Sequence, residues 1–129
     1  MKHVILVSHG TFAPGLHNAL NMLAGAKKEE LKSTSLQDGM GIDIFENNFT
    51  DLIKDITEKD KIVLLADIIG GSPMTAALNI LTEKGFIKNT AAFGGMNLSM
   101  GLTAVLEDEH DMEALKKAIL SEALESVAE

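Results

Sequence analysis

Short apolar runs alternate along the chain with segments in which apolar residues recur every three or four positions. Val4-Ile5-Leu6-Val7 is a continuous, partly β-branched run, as expected of a strand buried on both faces of a parallel sheet, and it stops at Ser8-His9-Gly10. From Pro14, residues Leu16, Leu20, Leu23 and Ala24 fall at helical spacing, with Gly25 and Lys27-Lys28 as a stop. Leu31 to Gln37 alternates weakly around the β-prone Thr34, which predicts a strand near the sheet edge, and Asp38-Gly39 marks a turn. Ile42, Phe45, Phe49, Leu52, Ile53 and Ile56 then predict an amphipathic helix over Asp43 to Thr57.

Lys61-Ile62-Val63-Leu64-Leu65-Ala66 is the clearest central strand, ending at Asp67. After Ile68-Ile69-Gly70-Gly71, Ser72 reads as an N-cap and Pro73 as the first residue of a helix that runs to about Lys84 and stops at Gly85. Thr90-Ala91-Ala92-Phe93 is a further strand, closed by Gly94-Gly95. Leu98, Leu102, Val105 and Leu106 mark the next helix, and Met112, Leu115, Ile119, Ala123 and Leu124 the last.

Strands and helices alternating at these spacings predict an α/β fold, a doubly wound, mostly parallel sheet of order 2-1-3-4 with helices on both faces. In such sheets the ligand crevice lies beyond the carboxyl ends of the strands, where the winding reverses. Here that is between the first and third strands, which end at His9 and Asp67. Neighbouring parallel strands are about 4.8 Å apart, so the two side chains can meet. A carboxylate accepting from one ring nitrogen would fix the histidine tautomer and leave the other nitrogen free as a nucleophile. Gly70-Gly71-Ser72-Pro73 brings a glycine-rich turn to a helix N-terminus, a setting that favours a phosphoryl group. Taken singly, His9 fits a surface residue, Asp67 a turn cap and the glycine turn an ordinary helix start. Their conjunction at one switch point is what points to phosphoryl transfer, which depends mainly on positioning and charge stabilisation and here needs no metal or cofactor.

Composition narrows the alternatives. The 129 residues read as one domain, 1–129, with a core built from Leu, Ile, Val, Ala and Met, and Met74, Met96, Met100 and Met112 read as packing residues. Nineteen acidic side chains against eleven basic ones make nucleic acid an unsuitable partner. The absence of cysteine excludes disulfides and thiolate metal sites, and the short apolar start is interrupted too early for a signal peptide or membrane span, so the expected location is cytoplasmic. Gly10 and Gly15 have P-loop spacing, but Leu16-His17 stands where Lys and Ser or Thr are required. The Gly-x-Ser-x-Gly elbow, the dinucleotide fingerprint and a metal ligand set are all missing, and His3, His17 and His110 read as solvated or packing residues.

Ile5 to Gly15, ILVSHGTFAPG, and Val63 to Ala77, VLLADIIGGSPMTAA, resemble the two signatures of the mannose-class IIA domains of the sugar phosphotransferase system. The resemblance covers essentially the whole chain. It implies a phosphohistidine carrier: His9 accepts a phosphoryl group from the phosphocarrier protein HPr, through Nε2, and passes it to a EIIB domain during sugar uptake. Asp67 would be the Nδ1 partner, with Gly10, Gly70, Gly71 and Ser72 around the phosphoryl group. It further implies a homodimer exchanging a short C-terminal edge strand around Ser126 to Ala128, although patterning alone reads Glu113 to Ala128 as uninterrupted helix. Contact with the membrane EIIC and EIID components would be indirect, at the inner face of the membrane. Rival readings are the IIA-like subunit that feeds dihydroxyacetone kinase, whose loop after the aspartate typically reads Met-Gly-Ser, and a regulatory module switched by phosphorylation of His9. Ile68-Ile69 stands where some members carry a more polar or aromatic pair, and Ser99 where relatives often have Pro.

Overall fold

The computed structural model describes residues 1–25, 30–108 and 111–129. Lys27-Lys28 and His110 lie outside the described residues. The elements in chain order are β1 (Lys2–His9), α1 (Phe12–Ala24), β2 (Leu31–Leu36), α2 (Ile42–Leu52) and β3 (Lys61–Ala66), followed by α3 (Ser72–Glu83), a 3₁₀ turn (Ile87–Asn89), β4 (Thr90–Phe93), α4 (Leu98–Leu106) and α5 (Met112–Glu125). All strand pairs are parallel and the order is β2-β1-β3-β4, the doubly wound arrangement expected from the sequence.

Strand alternation divides the core in two. Val4 and Leu6 of β1, with Val63 and Leu65 of β3, pack under α1, α4 and α5 around Leu20, Met100, Leu115 and Ile119. Ile5 and Val7, with Ile62 and Leu64, pack on the other face against α2 and α3, around Phe45, Phe49 and Leu81. The rings of Phe45 and Phe49 stack with centroids 6.4 Å apart. Each fully buried Leu, Ile or Phe contributes about 1.5–3 kcal/mol, so the two apolar layers supply the main drive to fold. Met74, Met96 and Met100 are buried and Met112 packs against the first layer, as a core filled by flexible side chains requires.

Three boundaries differ from expectation. α2 ends at Leu52 rather than Thr57, yet Ile53 and Ile56 stay buried through tightening turns, Ile56 N–H to Ile53 O at 3.0 Å among them. Their periodicity reported burial against the core rather than continued helix. Gly71, not Ser72, is the N-cap of α3: it is extended and its carbonyl accepts the Thr75 amide at 3.0 Å, leaving Ser72 as the first helical residue. Residues 126–128 form no strand in the single chain. Ser126 instead closes α5, its hydroxyl donating to Ala123 O and accepting from Asn97 Nδ2 at 3.2 Å. Among the described residues no helix is long and apolar enough to cross a membrane.

Candidate functional site

The site is assembled by strand geometry. β1 pairs with β3 so that Val7 lies beside Ala66, which leaves His9 and Asp67 just beyond the last paired residues of two adjacent strands. Alternation along β1 turns His9 toward the same face as Val7, the α2 and α3 side, and turns Ser8 toward α1. Buried Ser8 accepts the Ala13 amide at 2.7 Å and so satisfies one of the orphan N–H groups of the first turn of α1. The sequence reading missed that role. A polar residue closing an apolar strand five positions ahead of the amide it caps was the available signal.

Asp67 is held by three donors. Its Oδ2 accepts from the His9 amide at 3.0 Å and lies 2.9 Å from His9 Nδ1, while Oδ1 accepts from the Ile68 amide at 2.9 Å. Burial is the largest single influence on this carboxyl and pushes its pKa up. The hydrogen bonds from the His9 amide, the His9 ring and the Ile68 amide, with the charge of the ring, outweigh burial and leave the pKa below the usual carboxylate value. An ionised carboxylate can only accept, so Nδ1 carries the proton and the lone pair of the neutral ring sits on Nε2. The Asp67 side chain is 11% exposed and that of His9 46%, so the carboxylate is sheltered while the ring stays open to a docking molecule.

The loop after Asp67 lies against the ring. Gly70 takes φ +76°, a conformation that admits glycine readily, and a Cβ added to Gly71 would stand 3.2 Å from His9 Cε1. The Gly71 amide is spent on Ile68 O at 3.3 Å, whereas the amides of Gly70, Ser72 and Met74 have no acceptor among the described residues. Gly10 sits beside His9 at φ +56°, but its amide extends the β1–β2 ladder to Leu36 O at 2.9 Å. Gly94 was not singled out from sequence. Its Cβ would collide with the Ile69 backbone at 2.7–2.8 Å, and Gly95 N–H to Asp67 O at 3.2 Å and Met96 N–H to Ala66 O at 3.0 Å bind the same two loops together. These contacts brace the glycine turn in place.

The other described histidines are elsewhere. His3 is buried at the opposite edge of the sheet, its Nε2 3.3 Å from Asp60 Oδ2, and His17 Nδ1 is 2.6 Å from Ser33 Oγ on the α1 face. Burial lowers the pKa of both. Among the described residues no three carboxylates or imidazoles converge as a metal site.

Comparison with known proteins places the chain in a family. Residues 3–120 match the family model described as the PTS system fructose IIA component. The PTS system fructose-specific EIIA component of Bacillus subtilis (strain 168) is 30% identical over 110 residues, covering 85% of this chain and 73% of that one. The phosphotransferase system component EIIA from Streptococcus agalactiae superposes with a TM-score of 0.85 at 24% identity, covering 100% of this chain and 97% of the other. The mannose/sorbose specific IIA subunit from Enterococcus faecalis does so with a TM-score of 0.85 at 21% identity, covering 100% and 95%. With its switch-point histidine and a sheet that superposes on solved IIA folds, the chain belongs to the fructose/mannose-type IIA family of the sugar phosphotransferase system.

Proposed function

We propose that His9 is the phosphoryl carrier of this IIA component, loaded by phospho-HPr and discharged to a cognate EIIB domain in the cytoplasm during sugar uptake. The observation that carries the reading is the 2.9 Å contact between Asp67 Oδ2 and His9 Nδ1. It orients the ring and leaves the lone pair of Nε2 as the nucleophile. In the loading step the Nε2 lone pair forms a bond to phosphorus. The bond from phosphorus to the donor breaks, and its electron pair stays with the donor. The phosphorylated ring is cationic while Nδ1 keeps its proton, and the Asp67 carboxylate stabilises that charge. The amides of Gly70, Ser72 and Met74 and the N-terminus of α3 are the donors nearest in sequence to Gly71, where an added Cβ would meet the ring, and serve as the phosphoryl cradle. Gly10 contributes backbone conformation rather than a donor.

Incubation with phosphoenolpyruvate, enzyme I and HPr is expected to place one acid-labile phosphate on the protein, and His9→Ala to abolish it. Discharge on addition of a EIIB domain separates a carrier from a module that is only switched by phosphorylation. Label that persists in His9→Ala refutes the assignment of the nucleophile.

A further inference from the structure

The topology segregates the cations. There is no arginine in the chain, and every lysine among the described residues is remote from the carboxyl ends of the strands. Lys2 and Lys61 open β1 and β3, Lys32 is the second residue of β2, Lys54 and Lys59 lie between α2 and β3, and Lys84 and Lys88 lie between α3 and β4. Lys116 and Lys117 are near the start of α5, at the same far edge: α5 follows the end of α4 there and returns to bring Ser126 beside Asn97. The loops and first helical turns around His9 carry Asp38, Asp43 and Asp67 instead, with Glu46 one turn into α2. A phosphoryl group brings about −1.5 to −2 charges. Apart from the phosphorylated ring itself, backbone dipoles are the only positive counterpart that the described part of this edge supplies, and a phosphorylated donor approaches a like-charged surface.

Beside the site, α2 and α3 enclose an open groove of ≈ 270 Å³ that begins at Gly70 and Ser72. Its walls are Ile42, Thr75 and Asn79, and its one charged group is Glu46, which pairs with no lysine among the described residues. One acid flanked by neutral hydrogen-bonding groups, in a slot open to solvent, has the shape and charge to receive a single long basic side chain. Building on the proposed carrier role, we infer that this groove takes a lysine or arginine from the phosphorylated donor protein. That cation is anchored by Glu46 and lies next to the phosphoryl group as the donor docks. Glu46 is then a partner-recognition residue: it acts on the encounter and does not touch the reacting atoms.

The test is the steady-state kinetics of loading by phospho-HPr at low and high salt. Glu46→Gln is expected to raise the KM for phospho-HPr roughly three- to tenfold, with kcat kept and the salt dependence of kcat/KM weakened. Glu46→Lys should be worse, and a donor with its own lysine or arginine changed to glutamate should restore loading of the Lys variant. Asp43→Asn, on the same edge but outside the groove, should change KM less than Glu46→Gln does. Wild-type KM in both Glu46 variants, or equal effects of Asp43→Asn and Glu46→Gln, overturns the groove assignment. Failure of the wild-type protein to be labelled at all would instead strike the carrier role. Matching thermal unfolding of the variants and the wild type separates a docking defect from misfolding.

Discussion

Gly71 stands close to the His9 ring: an added Cβ would lie 3.2 Å from Cε1, the carbon between the two ring nitrogens, so the ring would have to give by a few tenths of an ångström. Its backbone is extended, at φ −72° and ψ 165°, so alanine is conformationally acceptable there. Gly71→Ala is therefore expected to leave the thermal midpoint nearly unchanged while slowing loading of His9 roughly tenfold, through a ring displaced by a few tenths of an ångström. Denaturation and labelling rate measured on the same sample check the pair. A large fall in stability with normal loading would contradict it.

Asp67→Asn replaces an acceptor-only group by one that can donate. The amide can satisfy the His9 backbone N–H through its oxygen and turn its NH₂ toward Nδ1, which favours the tautomer with the proton on Nε2. Loading should fall about a hundredfold or more while the fold is retained. Nitrogen chemical shifts of the His9 ring would report the change of tautomer directly.

The Asp67 pKa is lowered in the fold, so its contribution to stability is present above the unfolded value of 3.8 and is lost as pH falls through the lower, folded value. Its ionisation should thus not shape the loading rate near neutral pH. A step in the rate that is lost with Asp67→Asn at neutral pH would show otherwise.

His3 titrates with the opposite chemistry. Burial is the first cause of its lowered pKa, the Lys32 charge adds to it, and Asp60 opposes both without reversing them. The unfolded chain takes up this proton first, near pH 6.5, so stability is full above that pH and falls as the solution is acidified toward the folded pKa. Urea midpoints are expected to drop between about pH 7.5 and 5.5, and His3→Gln should flatten that slope. Part of the slope should survive in the variant, because burial lowers His17 as well.

Ser8→Ala removes the acceptor of the Ala13 amide in a buried position. The expected cost is roughly 1–2 kcal/mol, read as a shift in urea midpoint at constant slope. Because Ser8 faces α1 and His9 faces α3, labelling of the folded variant should be close to wild type.

The elements were legible where burial and local chain preference agree. The apolar runs of β1 and β3, flanked by helical periodicity, admit little besides a parallel sheet, and the order followed from the handedness of crossovers. That places His9 and Asp67 on neighbouring strand ends from the sequence alone, since only chain order and strand spacing are needed. The end of α2 was not legible, because Ile53 and Ile56 are buried whether or not the chain there is helical. The choice of Gly71 over Ser72 as the cap was likewise hidden, since it depends on the path by which the loop reaches α3.

What the amino-acid order determined on its own was the set of strands and helices and the two residues brought to the switch point, because periodicity and turn residues act over a few neighbours. The close approach of Gly94 to Ile69, the nearness of Gly71 to the His9 ring and the separation of every described lysine from that edge were decided only by the folded chain. Each is a relation between segments distant in sequence, and its energy exists only once the sheet and its helices have packed.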